Sequence, residues 1–209
     1  QRGILFMDEF PEFQRNAINA LRQPIEDGNI IISRVHNTVK WPSKFMLIAT
    51  MNPCPCGYYG DSQRECMCTP SQIKKYQSRV QGPIMDRIDM VCEVLRVDQD
   101  KLVQMKKAES SLKIRERVTI AQEIQKKRFK DEKYFFNSEM TSSAIRKYCR
   151  LNSEAEDFYS RISKKLAFSG REHLKVIKTS RTIADMRKAK NIELIDMCEA
   201  LQYRFRFNE

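Results

Sequence analysis

The chain has 209 residues, of which 41% are hydrophobic, 31% are charged and only 6 are glycine. That excludes a disordered or collagen-like polymer and leaves a globular, helix-rich protein of one or two domains. The net charge of +11 is uneven: residues 1–97 carry +2 and residues 98–209 carry +9, so the second half has the stronger claim on a polyanion such as nucleic acid. A solvated helical surface accounts for most of those charges all the same. No apolar stretch approaches about 20 residues and no signal peptide opens the chain, so a soluble, cytoplasmic protein that does not contact membrane is expected. Its seven cysteines are then thiols or metal ligands before they are disulfides.

The opening Gly3-Ile4-Leu5-Phe6-Met7 runs straight into Asp8-Glu9. A short apolar run of this kind reads as a fully buried strand, which periodicity alone does not separate from a buried helix. Carboxylates are costly to bury, so the two acids belong where the strand meets solvent. In open α/β sheets that is the edge where ligands bind. One acid there can hold Mg²⁺ and its neighbour can orient a water; the plain alternative is that both begin a turn.

A helix is predicted from Glu12 to Gln23, with Phe13, Ala17 and Leu21 every four residues, stopping before Pro24. Ile30–Arg34 and Thr38–Trp41 read as a hairpin whose tip carries Arg34, His36 and Lys40. It is either a solvated hairpin or a projecting loop that touches a partner. Phe45–Thr50 is a second apolar run, ending in Met51-Asn52-Pro53. It would bring Asn52 to the same sheet edge as Asp8 and Glu9, where an amide can bond an attacking water or a phosphate oxygen.

Four cysteines follow within fifteen residues: Cys54, Cys56, Cys66 and Cys68. They suggest a tetrahedral thiolate Zn²⁺ site, against free thiols or a local disulfide; the spacing is C-x-C twice rather than the commoner C-x₂-C. The loop is poor in apolar residues, so a metal would give it something to fold around. Thr69-Pro70-Ser71-Gln72 then opens a helix with a capping box and runs to about Val80 before Gly82-Pro83. Arg87 lies between Asp86 and Asp89, the pattern of a local ion pair, and a strand-like segment runs from Val91 to Val97.

From Asp98 the pattern is helical. Five helices are expected, over 112–129 with the stripe Ile114, Val118, Ala121 and Ile124, over 138–151, from a capping box at Ser153–Glu156, over 174–186 and over 192–203. Gly170 is read as a break between the third and fourth. Arg181 sits beside Ile177 and Ile183 near the apolar face, where a guanidinium wants an anion, carboxylate or phosphate.

Taken together, GILFMDEFPEF, LRQPIEDG, FMLIATMNPCPCG, GPIMDRIDM and SRTIAD with EALQYR resemble the magnesium-chelatase-like AAA+ ATPases of the ComM competence-protein group. The resemblance covers essentially the whole chain. It implies the C-terminal portion of an AAA+ P-loop α/β core (1–97) followed by an all-α helical lid (98–209). No G-x-x-x-x-G-K-[ST] is present, so the chain by itself is not expected to hydrolyse ATP. By the same resemblance Asp8 and Glu9 match the Walker B acids for ATP and Mg²⁺, and Asn52 matches sensor 1. Arg87 matches the arginine finger that reaches a neighbouring subunit's nucleotide, and Arg181 matches sensor 2. The hairpin over 30–41 matches an insertion facing the pore of ring helicases, making Arg34, His36 and Lys40 candidates for DNA phosphate contacts. The paired C-x-C cysteines are also a family feature. The function implied is an ATP-driven ring, a hexamer acting on single-stranded or branched DNA as a branch-migration helicase in recombination and natural transformation. The alternatives are a motor subunit for metal insertion into a porphyrin, or a non-catalytic zinc-stabilised DNA-binding or assembly module.

Overall fold

The computed structural model describes residues 2–34, 37–80, 82–95 and 108–204. They form two compact units, Gln1–Ile88 and Asp89–Glu209. The expected domain boundary between 97 and 98 lies outside the described residues, as does His36.

In the first unit the two apolar runs are strands, β1 (Gly3–Met7) and β4 (Phe45–Ala49), paired in parallel with Met7 opposite Ala49. Between them, β2 (Asn29–Arg34) and β3 (Asn37–Pro42) form an antiparallel hairpin with Arg34 opposite Asn37. The expected burial of β1 is not met. Ile4 and Phe6 are 66% and 59% exposed, because they lie on the face of the β1–β4 pair opposite the one that carries Met7 and Leu47 into the core. The core of this unit lies below the strand ends, where Met7, Phe10, Ile18, Val80 and Ile84 meet Leu21, Ile25 and Leu47.

The helix expected over 12–23 is three pieces: a 3₁₀ turn at Phe10–Glu12, α1 (Arg15–Ala20) and α2 (Arg22–Asp27). Pro24 does not stop the chain. It sits in the first turn of α2, where the missing N–H would have had no helical partner anyway. Gly28 ends α2 at φ 63°, a left-handed turn glycine adopts without a Cβ penalty. α3 (Pro70–Gln77) begins as expected, with Thr69 and Gln72 closing a reciprocal capping box.

The second unit is all helical among its described elements: α4 (Ser111–Arg128), α5 (Ser142–Tyr148), α6 (Ser153–Lys165), α7 (Gly170–Met186) and α8 (Leu194–Gln202). Residues 91–95, read as strand-like, have no regular structure, and 96–107 lie outside the described residues. The expected stripe on α4 is core at its C-terminal end alone. Ala121 is buried, while Ile114 and Val118 are exposed. The cap of α6 is Asn152, whose side chain accepts from Ala155 N at 2.9 Å; Ser153 is already inside the helix. Gly170 opens α7 rather than separating it from what precedes, because Ser169 and Glu172 form the capping box there.

Candidate functional site

The parallel register explains what gathers at the strand ends. With Met7 opposite Ala49, the next residue on each strand is Asp8 and Thr50. The Thr50 hydroxyl donates to Asp8 Oδ1, and Thr50 Oγ1 in turn accepts from Glu9 N at 3.2 Å. Thr50 N donates to Met7 O at 3.0 Å and Phe10 N to Thr50 O at 2.8 Å, so the ladder continues past the last formal strand residue. Glu9 is held at φ 50°, a left-handed conformation that costs a non-glycine residue about 1 kcal/mol. Such strain persists only where surrounding bonds over-determine it, and it concentrates at functional sites. Both residues are exposed at the strand edge.

Thr50 was not among the expected site residues. The available signal was that each apolar run turns polar at its end, Met7 into Asp8 and Ala49 into Thr50. Thr50→Val, near-isosteric, removes this bond; in the full-length protein we expect the Mg²⁺ concentration needed for half-maximal ATP hydrolysis to rise several-fold. An unchanged Mg²⁺ titration would mean Thr50 does not hold Asp8.

Two residues on, Asn52 is exposed at the mouth of the cysteine loop. The hydroxyl of buried Tyr76, on α3, meets the Asn52 backbone, and burial pushes the Tyr76 pKa up. The neighbouring Gln77 Nε2 donates to Pro53 O at 3.0 Å. Arg79 donates to Pro11 O at 3.3 Å and Glu12 Oε2 at 2.8 Å, anchoring the turn that follows Glu9.

Arg87 stands in a 3₁₀ turn (Met85–Arg87). Its partner is neither flanking aspartate, as the sequence suggested, but Glu26 on α2, together with Pro83 O at 2.6 Å. The Arg87 Nε is buried without a hydrogen-bond partner. The Arg87 side chain is largely enclosed, 14% exposed.

Arg181 lies in the helical unit and is 1% exposed. Its Nε donates to Asp185 Oδ1 at 3.0 Å, Nη1 to Lys190 O at 2.9 Å and Nη2 to Ala189 O at 2.7 Å. Of the two anions expected for it, this structure supplies the carboxylate. Every terminal nitrogen is engaged inside the unit, so this geometry gives no support to a phosphate contact by Arg181. Arg171, in the first turn of the same helix, is exposed.

Cys54, Cys56, Cys66 and Cys68 converge: all four sulfurs lie within 4.8 Å of one another. Cys54 Sγ is 3.4 Å from Cys56 Sγ and 3.6 Å from Cys66 Sγ. A tetrahedral zinc thiolate, with Zn–S near 2.3 Å, needs sulfurs about 3.8 Å apart, so the donor set fits the ion in type, number and spacing. All four are unpaired as disulfides. Cys54 is fully buried and also accepts from Tyr59 N at 3.3 Å. The Tyr58 backbone N–H draws the Cys56 thiol down to about 6 against desolvation. Cys66, though it takes a backbone N–H from Cys68, is pushed up to about 12 by desolvation and by the sulfurs of Cys56 and Cys54. Close sulfurs oppose one another's ionisation unless a cation joins them.

On the hairpin, Arg34 and Lys40 are exposed, at the end of β2 and within β3 opposite Ile31. In the helical unit, Lys127, Lys188 and Lys190 line a groove of about 700 Å³ over Ile120, Ile124 and Ala189.

Residues 1–102 match the family described as magnesium chelatase, subunit ChlI, and residues 108–204 match its C-terminal family, magnesium chelatase, subunit ChlI C-terminal. Competence protein ComM of Haemophilus influenzae is 38% identical over 203 residues, which is 97% of this chain and 39% of ComM. The chain belongs to the magnesium-chelatase-like ComM/YifB family. YifB of Salmonella typhimurium is 38% identical and YifB of Escherichia coli 36%, each over 97% of this chain and 39% of the relative. The chain therefore spans about two fifths of the length of these ComM/YifB relatives. A small parallel sheet with helices followed by an all-helical part is the arrangement of an AAA+ α/β fragment with its helical lid.

Proposed function

We propose that this chain is part of an ATP-driven motor that assembles as a ring, most simply a hexamer, and acts on DNA as a branch-migration helicase in recombination. Its relative named for competence supports placing that activity in natural transformation. The observation that carries the proposal is the shared strand edge: Asp8, Glu9 and Thr50 are joined by hydrogen bonds where two parallel strands end, with Asn52 two residues beyond. In this reading Asp8 holds Mg²⁺ through oxygen or water, Glu9 accepts a proton from the attacking water, and Asn52 orients that water or the terminal phosphate. Arg87 reaches the nucleotide of the adjacent subunit, exchanging Glu26 for phosphate oxygens. ATP and Mg²⁺ are then the cofactors of hydrolysis, and Zn²⁺ that of the four-cysteine loop.

The hairpin contacts the strand through Arg34 and Lys40. These are phosphate contacts, which carry little sequence information. Arg34→Ala with Lys40→Ala in the full-length protein should weaken binding equally on unrelated single strands. The slope of log affinity against log salt should fall by about 1.4, at roughly 0.7 per lost phosphate contact. An unchanged slope would remove the hairpin from the DNA path. The function as a whole is tested by a strand-displacement assay on branched DNA with the full-length protein and ATP. Displacement that depends on hydrolysis is expected, and its absence beside porphyrin metalation would transfer the protein to the chelatase class.

A further inference from the structure

We propose that the four-cysteine cluster positions Asn52, because a metal held there joins the exit of β4 to the start of α3. The covalent path supports this closely. Cys54 follows Asn52-Pro53 directly, and Cys68 directly precedes Thr69, the cap of α3. α3 then returns to where the path began: Tyr76 meets the Asn52 backbone, and Gln77 bonds the Pro53 carbonyl. The backbone at Asn52-Pro53 is therefore held by α3 on one side and runs directly into Cys54 on the other, in a circuit that an ion on the sulfurs would close.

Between the cysteine pairs the loop is held by Asp61, which accepts from Gln63 N and Arg64 N at 2.7 and 3.0 Å, and by Arg64 stacked 4.1 Å above the Tyr58 ring. These are local, exposed contacts. The one fully buried residue of the loop is Cys54 itself. Joining both ends of a loop through one ion removes most of its conformational freedom, which is what an ordered amide at its mouth requires. The cluster is thus a positioning device for ATP hydrolysis, a role that rests on the motor reading above.

The experiment uses the full-length protein, zinc-loaded or stripped with a chelator, followed by metal analysis and amide hydrogen exchange. With metal bound, removal should speed exchange at least tenfold at residues 50–54 and in α3, and leave the helices over 142–202 unmoved. In ATPase kinetics, Cys66→Ser should lower kcat about tenfold with KM for ATP changed less than twofold, because Asn52 acts on the water rather than on nucleotide affinity. Cys66→His, which restores a zinc ligand, should recover most of the loss, and Cys92→Ser, an exposed cysteine outside the cluster, should change nothing. Less than half an equivalent of zinc overturns the proposal by removing its ion. Bound zinc with unaltered exchange at 50–54 overturns it by removing its consequence. A protein that binds zinc and responds in exchange but hydrolyses no ATP upholds the clamp and refutes the motor instead.

Discussion

Arg87→Ala in the full-length protein should bind ATP normally and lose DNA-stimulated hydrolysis by a factor of about 10³–10⁵, the range an arginine finger typically supplies. The argument is geometric. Within its own unit Arg87 meets Glu26 and the Pro83 carbonyl, and its Nε is left without a partner. In the proposed motor, Glu26 compensates this guanidinium until it meets a nucleotide phosphate of the adjacent subunit. Alanine removes the charge delivered to the transition state but touches nothing in the protein's own nucleotide edge, so binding persists while turnover fails. Mixing wild-type and Arg87→Ala subunits should inhibit more than in proportion, since each lost finger disables a neighbour. Near-normal turnover by the variant would remove Arg87 from the reaction.

Asp185→Ala should destabilise the helical unit by about 3–5 kcal/mol, the usual consequence of leaving a buried partner charge uncompensated. Asp185 is fully buried and accepts from Arg181 Nε, from Arg128 Nη1 at 2.7 Å and from Asn137 Nδ2 at 2.8 Å. Asn137 extends the network to Thr182 Oγ1 at 3.0 Å and, through its backbone N–H, to Gln125 Oε1 at 2.9 Å. One carboxylate thus joins α4, the 3₁₀ turn at Asn137–Glu139 and α7. Its removal leaves Arg181 charged and enclosed with only two carbonyls for company. For a unit of about 100 residues each kcal/mol moves Tm by roughly 4–8 °C, so thermal unfolding should fall by more than about 10 °C. A shift of a degree or two would show that the network is solvated and the burial of Arg181 unimportant.

Much of this was legible in the letters. Two apolar runs, each ending in polar residues, announced the β1–β4 pair and its edge. Thr69-Pro70-Ser71-Gln72 announced the start of α3, because a capping box is local and independent of tertiary context. Tertiary context decided the rest. Whether Ile4 and Phe6 are buried depends on what lies over a two-stranded sheet, and no pattern within the strand carries that. Pro24 looked like a stop because a proline inside a helix usually is; a short break at Leu21 moved it into a first turn. Asn152 and Ser153 are both good caps, and only the hydrogen bond to Ala155 chooses between them. Arg181 was read for phosphate through resemblance, although Asp185 stood four residues away on the same helix face, the commonest place for its partner. Arg87 had acids at hand on both sides and found a third, Glu26, that is distant in sequence.

The most direct test is the structure of the full-length protein with Mg²⁺ and a non-hydrolysable ATP analogue. The account predicts the triphosphate at the end of β1 and β4, with Mg²⁺ bound by Asp8 directly or through one water, Asn52 turned to the terminal phosphate, and Arg87 of the adjacent subunit reaching the same phosphate. A triphosphate bound elsewhere, with Asp8, Glu9 and Asn52 all still in solvent, would contradict it.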